Sequence, residues 1–465
     1  MITITELALA DLRQAVTGVV GLPGEDAYSA ACNIWNGAIR KRPAVVVRCL
    51  TAADVSAALR WSQRNSVEIS VRGGGHNFAG HALCDGGLTI DLSLMKSLHV
   101  DPAARTATCG GGTTWAELDA ATQEHGLAVP GGFISHTGVA GLTLGGGLGW
   151  LSCQVGLSCD MLIGADFVTA DGRILHLSKT ENADLFWAIR GGGGNFGVVT
   201  SFEFTLSPIG PLIHFGMFFF GLDHGHAMLR FAREFVRQLP DGATAFIGAL
   251  NAPPAPFVPT VHQLQPGYAL IVVGFGTAED HARAIAPIRA TLAPLFELVT
   301  PMPYVALQQM FDGSAPWGVL AYEKAVHLDE LSDAAIDVIV THVPRKSSPL
   351  SFVPIFTLGG AYARVQEDAV AFGGSRDTRF VVNMAAIAPT PELFELDTAW
   401  VRTFWSALVP HARNIGSYVN FMNEYDEARV IAAYGADKYR RLASIKATYD
   451  PNNVFHLNAN IKPAR

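Results

Sequence analysis

The chain has 465 residues, 49% of them hydrophobic and 16% charged, and a formal net charge of -8 at pH 7. This composition excludes a disordered chain, and the negative charge without any basic tract argues against nucleic-acid or anionic-membrane partners. No apolar run reaches the ~18–20 residues of a membrane span, so no membrane partner is expected. At the usual ~100–200 residues per domain, the length predicts two or three domains.

The N-terminus and the cysteines favour a cytoplasmic protein. Residues 1–6, Met-Ile-Thr-Ile-Thr-Glu, lack the positive region and the apolar run of a signal peptide. The six cysteines have no paired spacing, which is typical of reduced thiols. Cys153 and Cys159 are six positions apart, outside the usual spacings of zinc ligands, and no metal site is predicted.

The first 91 residues predict alternating helices and strands, the beginning of an α/β arrangement. Thr51 and Asp54 are suited to begin a helix, as cap and first-turn acid. The predicted elements are a helix at Glu6–Val16, a strand at Ala44–Arg48, a helix at Val55–Arg64, and strands at Val67–Val71 and Gly87–Asp91.

The stretch Arg72-Gly-Gly-Gly-His-Asn77 follows the predicted strand Val67–Val71. Three consecutive glycines let the backbone turn tightly and bring bare N–H groups close to an anion. At the mouth of such a loop His76 could act as a nucleophile, a ligand or a base. Alone, the pattern also fits a turn histidine that is hydrated by solvent.

A second glycine-rich region follows the predicted strand Thr106–Cys109 and a helix that Thr114 caps and that runs to about Glu124. Between residues 131 and 149 there are eight glycines, and we predict that this stretch cannot form a stable helix interior. The residues between them are mostly apolar, which argues against a flexible linker. We therefore predict backbone packed against a large, flat ligand.

The next stretch predicts a hairpin turning at Asp171-Gly172, a helix at Asp184–Arg190 and a strand at Val198–Phe204. Gly192, Gly194 and Gly197 match the dinucleotide-binding spelling G-x-G-x-x-G. Here, however, a helix precedes the glycines and a strand follows them, the reverse of the required order. The sequence therefore argues against a Rossmann nucleotide site.

Residues 209–410 alternate aromatic strands with helices, which predicts an antiparallel sheet with helices on one face. The alternating aromatics favour core packing over a ligand wall. The predicted strands are His214–Phe220, Tyr268–Val273 and Leu350–Phe356, with helices at Ala227–Gln238, Asp280–Leu292, Ser332–His342 and Thr390–Leu408 and, in the tail, at Glu424–Tyr434 and Lys438–Tyr449.

Four motifs occur in the order of one known family: Arg72–Asn77, Gly145–Gly149 followed by Asp160, Gly194–Thr200 and Tyr449–Asn458. Over essentially its full length the chain resembles the berberine-bridge-enzyme-like flavoproteins, whose FAD-binding domain is of the vanillyl-alcohol-oxidase, or PCMH, type. The resemblance implies an α+β fold with an FAD-binding domain at 1–207, a substrate domain at 208–412, and a segment at 413–465 that returns to the FAD-binding domain.

The same resemblance implies an FAD bound covalently through a ring nitrogen of His76 to the flavin 8α position. Many members add a second bond from a cysteine at the place of Ile134, so a single link is expected and Cys153 should not be a linker. Thr137 occupies the place that controls access of oxygen to the flavin. The further residues implied to bind FAD are Arg72, Gly73, Gly74, Gly75, Asn77, Pro130, Gly131, Gly132, Gly138, Gly141, Leu142, Gly146, Gly149, Trp150, Asp160, Gly197, Val198, Val199, Asn458 and Asn460.

For catalysis, Tyr418 matches a tyrosine that many members place over the flavin, and Asn420 is expected beside it on one strand face. The weaker candidates are Glu323, Lys324 and Asn383. The implied activity is an oxidase that moves a hydride from an alcohol, amine or activated C–H carbon of a small, partly aromatic metabolite to flavin N5, with O2 reduced to H2O2. The alternatives are a dehydrogenase with another acceptor and a flavin-bound enzyme that guides a non-redox cyclisation or rearrangement.

Overall fold

The fold was analysed in a computed structural model that describes residues 4–464, whose strands form four sheets. The first sheet has three parallel strands and one antiparallel edge strand. Its order is Val19–Gly21, Val45–Arg48, Leu88–Asp91 and Ile69–Arg72. The helix Ala52–Arg64 begins at a capping box of Thr51 and Asp54, as the sequence predicts.

The second sheet has five antiparallel strands. Their order is Leu98–Asp101, Thr106–Gly110, Gly197–Thr205, Leu162–Thr169 and Ile174–Ser178. The predicted hairpin at Asp171-Gly172 is confirmed, and Gly172 adopts the positive φ that such a turn requires. A small third sheet pairs Leu127–Ala128 with Ser207–Pro208, so the expected boundary after residue 207 falls within a strand.

The fourth sheet has seven antiparallel strands and four helices on one face, which confirms the predicted α+β architecture. The strand order is Phe296–Pro303, Leu212–Gly221, Pro266–Gly274, Ala243–Asn251, Val353–Thr357, Phe380–Ala388 and Leu320–Leu328. The four helices are Gly225–Arg237, Ala278–Thr291, Asp333–His342 and Pro391–Leu408.

The remaining α-helices connect or cover the sheets, and most of them are short. They are Glu6–Ala15, Asp26–Cys32, Trp115–Gln123, Val139–Gly145, Ser152–Val155, Ala183–Ile189, Tyr304–Gln308, Gly360–Arg364, Glu427–Tyr434 and Ala436–Tyr449. Among the described residues 4–464, no helix combines the length and the apolar character that crossing a membrane requires.

The C-terminal tail packs into the first half of the chain. The ammonium of Lys446 and the carboxylate of Asp450 form a fully buried ion pair 2.6 Å long. Lys446 Nζ also donates to the carbonyl oxygens of Asn195, at 2.5 Å, and Phe455, at 2.9 Å. Because a buried ammonium needs such partners, these contacts fix the tail against the loop at Asn195.

Two local predictions are wrong. The glycine-rich region contains the helix Val139–Gly145, because close packing there outweighs the poor helix propensity of glycine. A Cβ added at Gly145 would lie 2.2 Å from Asn420 Oδ1. In addition, Tyr418 and Asn420 are not on a strand, since residues Val419–Phe421 form a 3₁₀ turn.

Candidate functional site

A cavity of about 2060 Å³, counting its open mouth, lies between the glycine-rich loops and the seven-stranded sheet. Its wall comes from distant parts of the sequence, chiefly residues 71–82, 132–148, 193–199 and 457–459 on one side. The opposite side is formed by the sheet strands and by residues 418–425. Such a large, concave and mostly apolar space is the usual form of a cofactor and substrate site.

The loop Gly73–Gly75 approaches the loop at Gly138 so closely that side chains would not fit. A Cβ added at Gly74 would lie 2.3 Å from the backbone nitrogen of Gly138. At Gly141 and Gly194, by contrast, an added Cβ would meet nothing within 4 Å, because both positions face open space in the cavity. This wall therefore presents bare backbone.

His76 follows this loop and lies half-buried on the cavity wall. Its Nε2 is 2.6 Å from Nδ1 of His136, and its ring stacks on Trp35 with centroids 5.2 Å apart. Burial, assisted by His136 and Arg72, lowers the pKa of His76 to about 3. The imidazole is therefore neutral, and one of its ring nitrogens keeps a lone pair.

The sheet contributes a polar pair to the same cavity, Glu323 and Asn383. Asn383 Nδ2 donates to Glu323 Oε2 at 2.7 Å, while Glu323 Oε1 and Asn383 Oδ1 have no partner within residues 4–464. Both residues are buried, and burial raises the pKa of Glu323 to about 8. A carboxyl group in this state can exchange a proton near neutral pH.

Tyr418 also lines the cavity, but its hydroxyl is already occupied. Tyr418 Oη accepts hydrogen bonds from the backbone N–H of Gly147 and from Asn420 Nδ2, both at 2.7 Å. Burial raises the pKa of Tyr418, and these two hydrogen bonds offset only part of the rise. The phenol is therefore neutral and held in place.

Aromatic side chains complete the wall near the sheet. Phe246 and Phe356 lie on the cavity side, with ring centroids 5.6 Å apart, and Phe421 stacks on Phe356. Phe218 and Phe220 point to the opposite face and pack against the helices. The aromatic residues of the sheet therefore form a hydrophobic core on one face and a wall of the cavity on the other.

The cavity has room for a large ligand, and its wall residues include polar groups without partners among the described residues. Four buried polar atoms of wall residues have no hydrogen-bond partner within the described residues. They are His81 Nδ1, Glu323 Oε1, Asn383 Oδ1 and Asn458 Oδ1. Because buried polar atoms are normally hydrogen-bonded, these four indicate positions where a ligand or water supplies the partner.

Comparison with known proteins identifies that ligand. A family described as FAD binding domain matches residues 43–178, and one described as Berberine and berberine like matches residues 417–462. The (R)-6-hydroxynicotine oxidase of Paenarthrobacter nicotinovorans is 31% identical over 97% of this chain and 97% of its own length. The chain belongs to the berberine-bridge-enzyme-like family of FAD-linked oxidoreductases. A family member from Dictyostelium discoideum, an FAD-linked oxidoreductase, is 30% identical over 97% of this chain and 96% of its own.

The fold agrees with this family assignment. The crystal structure of 6-hydroxy-D-nicotine oxidase from Arthrobacter nicotinovorans superimposes with a TM-score of 0.85 at 27% identity, covering 97% of this chain and 98% of that one. The expected family and two-domain flavoprotein fold are therefore confirmed. As a berberine-like flavoprotein the chain has an FAD-binding domain, and the bare glycine wall and the unpartnered polar atoms fit that cofactor.

Most residues that the family resemblance assigns to the site lie on the cavity wall. They are Gly73, Gly74, Gly75, His76, Asn77, Gly132, Thr137, Gly138, Gly141, Leu142, Gly197, Val198, Val199, Tyr418, Asn420 and Asn458, together with Ile134, Glu323 and Asn383. The others lie behind it and are Arg72, Pro130, Gly131, Gly146, Gly149, Trp150, Asp160, Lys324 and Asn460.

Two charged residues behind the wall have structural partners in this berberine-like chain. Asp160 receives a bidentate ion pair from Arg376, at 2.7 and 3.0 Å, and caps the backbone at Leu157. Lys324 points to the helix side of its strand, where it meets Glu424 at 2.9 Å. These contacts, rather than the cavity, account for the two charges.

Arg72 and Gly149 shape the loops that carry the wall. Arg72 donates to Asp91 Oδ1 at 2.9 Å and to the Asn33 carbonyl oxygen at 3.1 Å. A Cβ added at Gly149 would lie 1.5 Å from the carbonyl oxygen of Gly131, so this contact requires glycine.

Sequence reasoning missed several residues of the site. His136 contacts His76 directly, Trp35 stacks on it, and His81 and Phe246 line the cavity. For His136 a signal was present, because it lies between the place of the second cofactor link, Ile134, and Thr137. The other three have no local pattern that separates them from core residues.

Proposed function

We propose that this protein is an oxidase that holds FAD through one covalent bond from His76 and oxidises a small, partly aromatic alcohol or amine. When bound, FAD would supply the acceptor at N5 for a hydride from a substrate carbon, and O2 would take up the electrons as H2O2. The observation that carries the proposal is one cavity whose wall holds both the neutral imidazole of His76 and the buried carboxyl group of Glu323.

The single covalent link rests on two features. His76 is neutral and lies on the wall, so a ring nitrogen can form the bond to the flavin 8α carbon. Ile134 occupies the place where many family members carry the second, cysteinyl link, and it packs in an apolar cluster with Trp35 and Phe78. An isoleucine side chain offers no nucleophile there.

The glycine-rich wall suits the rest of the cofactor. Backbone at Gly73–Gly75 and at Gly138 and Gly141 borders the cavity without side chains, as close approach to a pyrophosphate requires. Asn458, whose Oδ1 has no partner within residues 4–464, adds a polar group from the C-terminal tail.

We assign the proton acceptor to Glu323 in preference to Tyr418. Removal of a hydride from an alcohol or amine carbon also releases the proton of the substrate's hydroxyl or amino group. Glu323 is a wall residue whose buried Oε1 has no partner within residues 4–464, and Asn383 orients the carboxyl group through Oε2. Tyr418 Oη accepts two hydrogen bonds and its pKa is raised, so it is suited to hold Gly147 and Asn420 in position.

The aromatic wall supports the substrate class. Phe246, Phe356 and Phe421 border the cavity on the sheet side, and stacked or edge contacts with such rings favour flat, apolar groups. A relative that is named for oxidation of 6-hydroxynicotine, a pyridine that carries a saturated cyclic amine, has a sequence that covers nearly the whole chain. We therefore expect an aromatic or heteroaromatic group next to the oxidised carbon.

A panel of amines and alcohols that carry an aromatic group next to the carbon to be oxidised tests the proposal. We expect anaerobic mixing with a substrate to bleach the flavin, and air to restore its colour with release of one H2O2 per turnover. Stopped-flow mixing of reduced enzyme with O2 measures the second step. Reoxidation no faster than that of free flavin would indicate a dehydrogenase, and turnover without bleaching would indicate non-redox chemistry.

A further inference from the structure

We propose that His136 is a positioning residue for cofactor attachment: it accepts a hydrogen bond from Nε2–H of His76 and thereby leaves the Nδ1 lone pair of His76 free to bond to the flavin. This inference rests on the proposed function, in which His76 carries the cofactor. Its direct basis is the 2.6 Å contact between His76 Nε2 and His136 Nδ1.

The hydrogen-bond partners of the two rings assign their tautomers. A neutral imidazole has one N–H donor and one acceptor nitrogen, so one ring must donate in the contact and the other must accept. A hydrogen bond to the backbone of Ala315 raises the pKa of His136, so an N–H of the His136 ring donates there. Because Nδ1 of His136 faces His76, we assign this N–H to the other ring nitrogen, Nε2. His136 Nε2 therefore carries the hydrogen, and its Nδ1 is the acceptor for His76 Nε2–H.

The surroundings hold both rings in place. Trp35 stacks on His76, and Trp317 lies against both histidines, with centroids 5.4 Å from His76 and 5.9 Å from His136. The backbone before His136 is fixed because Ser135 donates to the Asp312 carboxylate through its N–H, at 2.8 Å, and its hydroxyl, at 2.6 Å. His136 is therefore presented to His76 by a rigid loop.

Ionisable groups face the pair from both sides. The carboxylate of Asp312 lies near His136, and the guanidinium of Arg72 lies near His76. Burial lowers the pKa of both histidines, so the pair is neutral and the hydrogen bond joins two uncharged rings.

The attachment of FAD is a two-electron oxidation, and O2 is its oxidant. A bond forms between His76 Nδ1 and the flavin 8α carbon, and one hydrogen leaves that carbon as a proton. The hydrogen on His76 Nε2 passes to His136 Nδ1, while the electron pair of the broken C–H bond remains on the flavin ring. O2 takes this pair and two protons to give H2O2, so His136 returns to its neutral form.

Three variants test this role, with the rate of covalent attachment as the readout. Protein from flavin-starved cells is mixed with FAD, and acid-stable flavin is followed by fluorescence in denaturing gels and by intact mass. His136→Ala removes the acceptor, whereas His136→Asn can restore one, since its amide oxygen lies near the place of Nδ1. Trp317→Phe is the matched control, because it changes the same cluster without touching the hydrogen bond.

We expect His136→Ala to attach FAD roughly 100-fold more slowly than wild type, while its non-covalent FAD affinity and melting temperature stay close to those of wild type. His136→Asn should recover most of the rate, and Trp317→Phe should behave as wild type. A wild-type rate in His136→Ala, or no gain of rate in His136→Asn over His136→Ala, would overturn the role of His136. If wild type itself releases its flavin in acid, the covalent link of the proposed function fails instead.

Discussion

The two walls of the cavity work by different means. The wall at Gly73–Gly75 and Gly138 offers backbone, and a Cβ added at Gly74 would collide with the facing loop. The sheet wall offers side chains, among them Glu323 and Asn383, at alternate positions of buried strands. The first wall is suited to a fixed cofactor, because backbone geometry permits little change of side chain. The second can change its substrate by exchanging side chains while the strands stay in place.

The contrast also separates two kinds of buried carboxyl group. Glu323 is buried with one carboxyl oxygen that has no partner among the described residues, whereas Asp160 is buried in a bidentate ion pair with Arg376. An unpartnered group costs stability and is available for chemistry, while a paired group mainly maintains structure. Substitutions on each wall should therefore give separable losses of cofactor, of activity and of stability.

The largest effect is expected at the backbone wall. His76→Ala should carry no acid-stable flavin, because the variant lacks the imidazole that forms the proposed covalent bond. Acid precipitation followed by absorbance of the pellet measures this. Cys153→Ala is the control and should keep its colour, since Cys153 Sγ lies 3.4 Å from the Thr357 carbonyl oxygen and is not on the cavity wall. Colour that persists in the pellet of His76→Ala would contradict the proposal.

At the sheet wall, Glu323→Gln should slow anaerobic flavin reduction by roughly 10²- to 10³-fold, since a general base is lost. The base acts only when deprotonated, and burial raises the pKa of Glu323 to about 8. The wild-type reduction rate should therefore rise as the pH passes through about 8, and this dependence should disappear in Glu323→Gln.

Tyr418→Phe is the matched comparison for this prediction. It removes the hydroxyl that binds Gly147 and Asn420 but leaves Glu323 in place. Stopped-flow reduction of both variants with one substrate ranks the two residues. A larger loss in Tyr418→Phe, with the pH dependence transferred to it, would make Tyr418 the proton acceptor.

A stability effect without loss of cofactor is expected behind the wall. Asp160→Asn leaves the Arg376 charge without its ionic partner and should lower the free energy of unfolding by about 3 kcal/mol. Denaturant unfolding measures this change. The folded variant should attach FAD as fully as wild type, and a variant of normal stability without flavin would place Asp160 in cofactor binding.

The smallest effect is a gain. Ile134→Cys puts a thiol at the cavity wall, at the place of the second link in many relatives. We expect a fraction of the protein to form this link, so that the double variant Ile134→Cys with His76→Ala recovers part of the acid-stable flavin. The matched control is Ile134→Ser, which adds a hydroxyl of similar size and should leave the double variant colourless.

The glycine-rich wall could be predicted from the sequence because consecutive glycines have few other uses. The loop ending in His76, the expected FAD and the family all followed from the order of such motifs. The helix Val139–Gly145 was missed for the same reason. Glycine has a low helix propensity, so the sequence argues against a helix here. The close contact of Gly145 with Asn420 forms only in the folded chain.

The sheet wall could be predicted only in outline. On the strand Leu320–Leu328 both faces are buried, one by helices and one by the cavity, so the pattern does not show which of Glu323 and Lys324 faces the ligand. That choice depends on register, and a shift by one residue would exchange them. The position of His136 between Ile134 and Thr137 was a signal for the site, but its contact with His76 joins positions 60 residues apart and depends on the fold.

The cavity wall also determines the stage of protein synthesis at which FAD can be enclosed. Leu457–Ala459, near the end of the chain, borders the same space as Gly73–Gly75 near its beginning. The buried pair of Lys446 and Asp450 holds this last segment in place. Since a ribosome makes the chain from its N-terminus, the first loops emerge long before the segment that closes around them. FAD can therefore be fully enclosed only after residues 457–459 have been made.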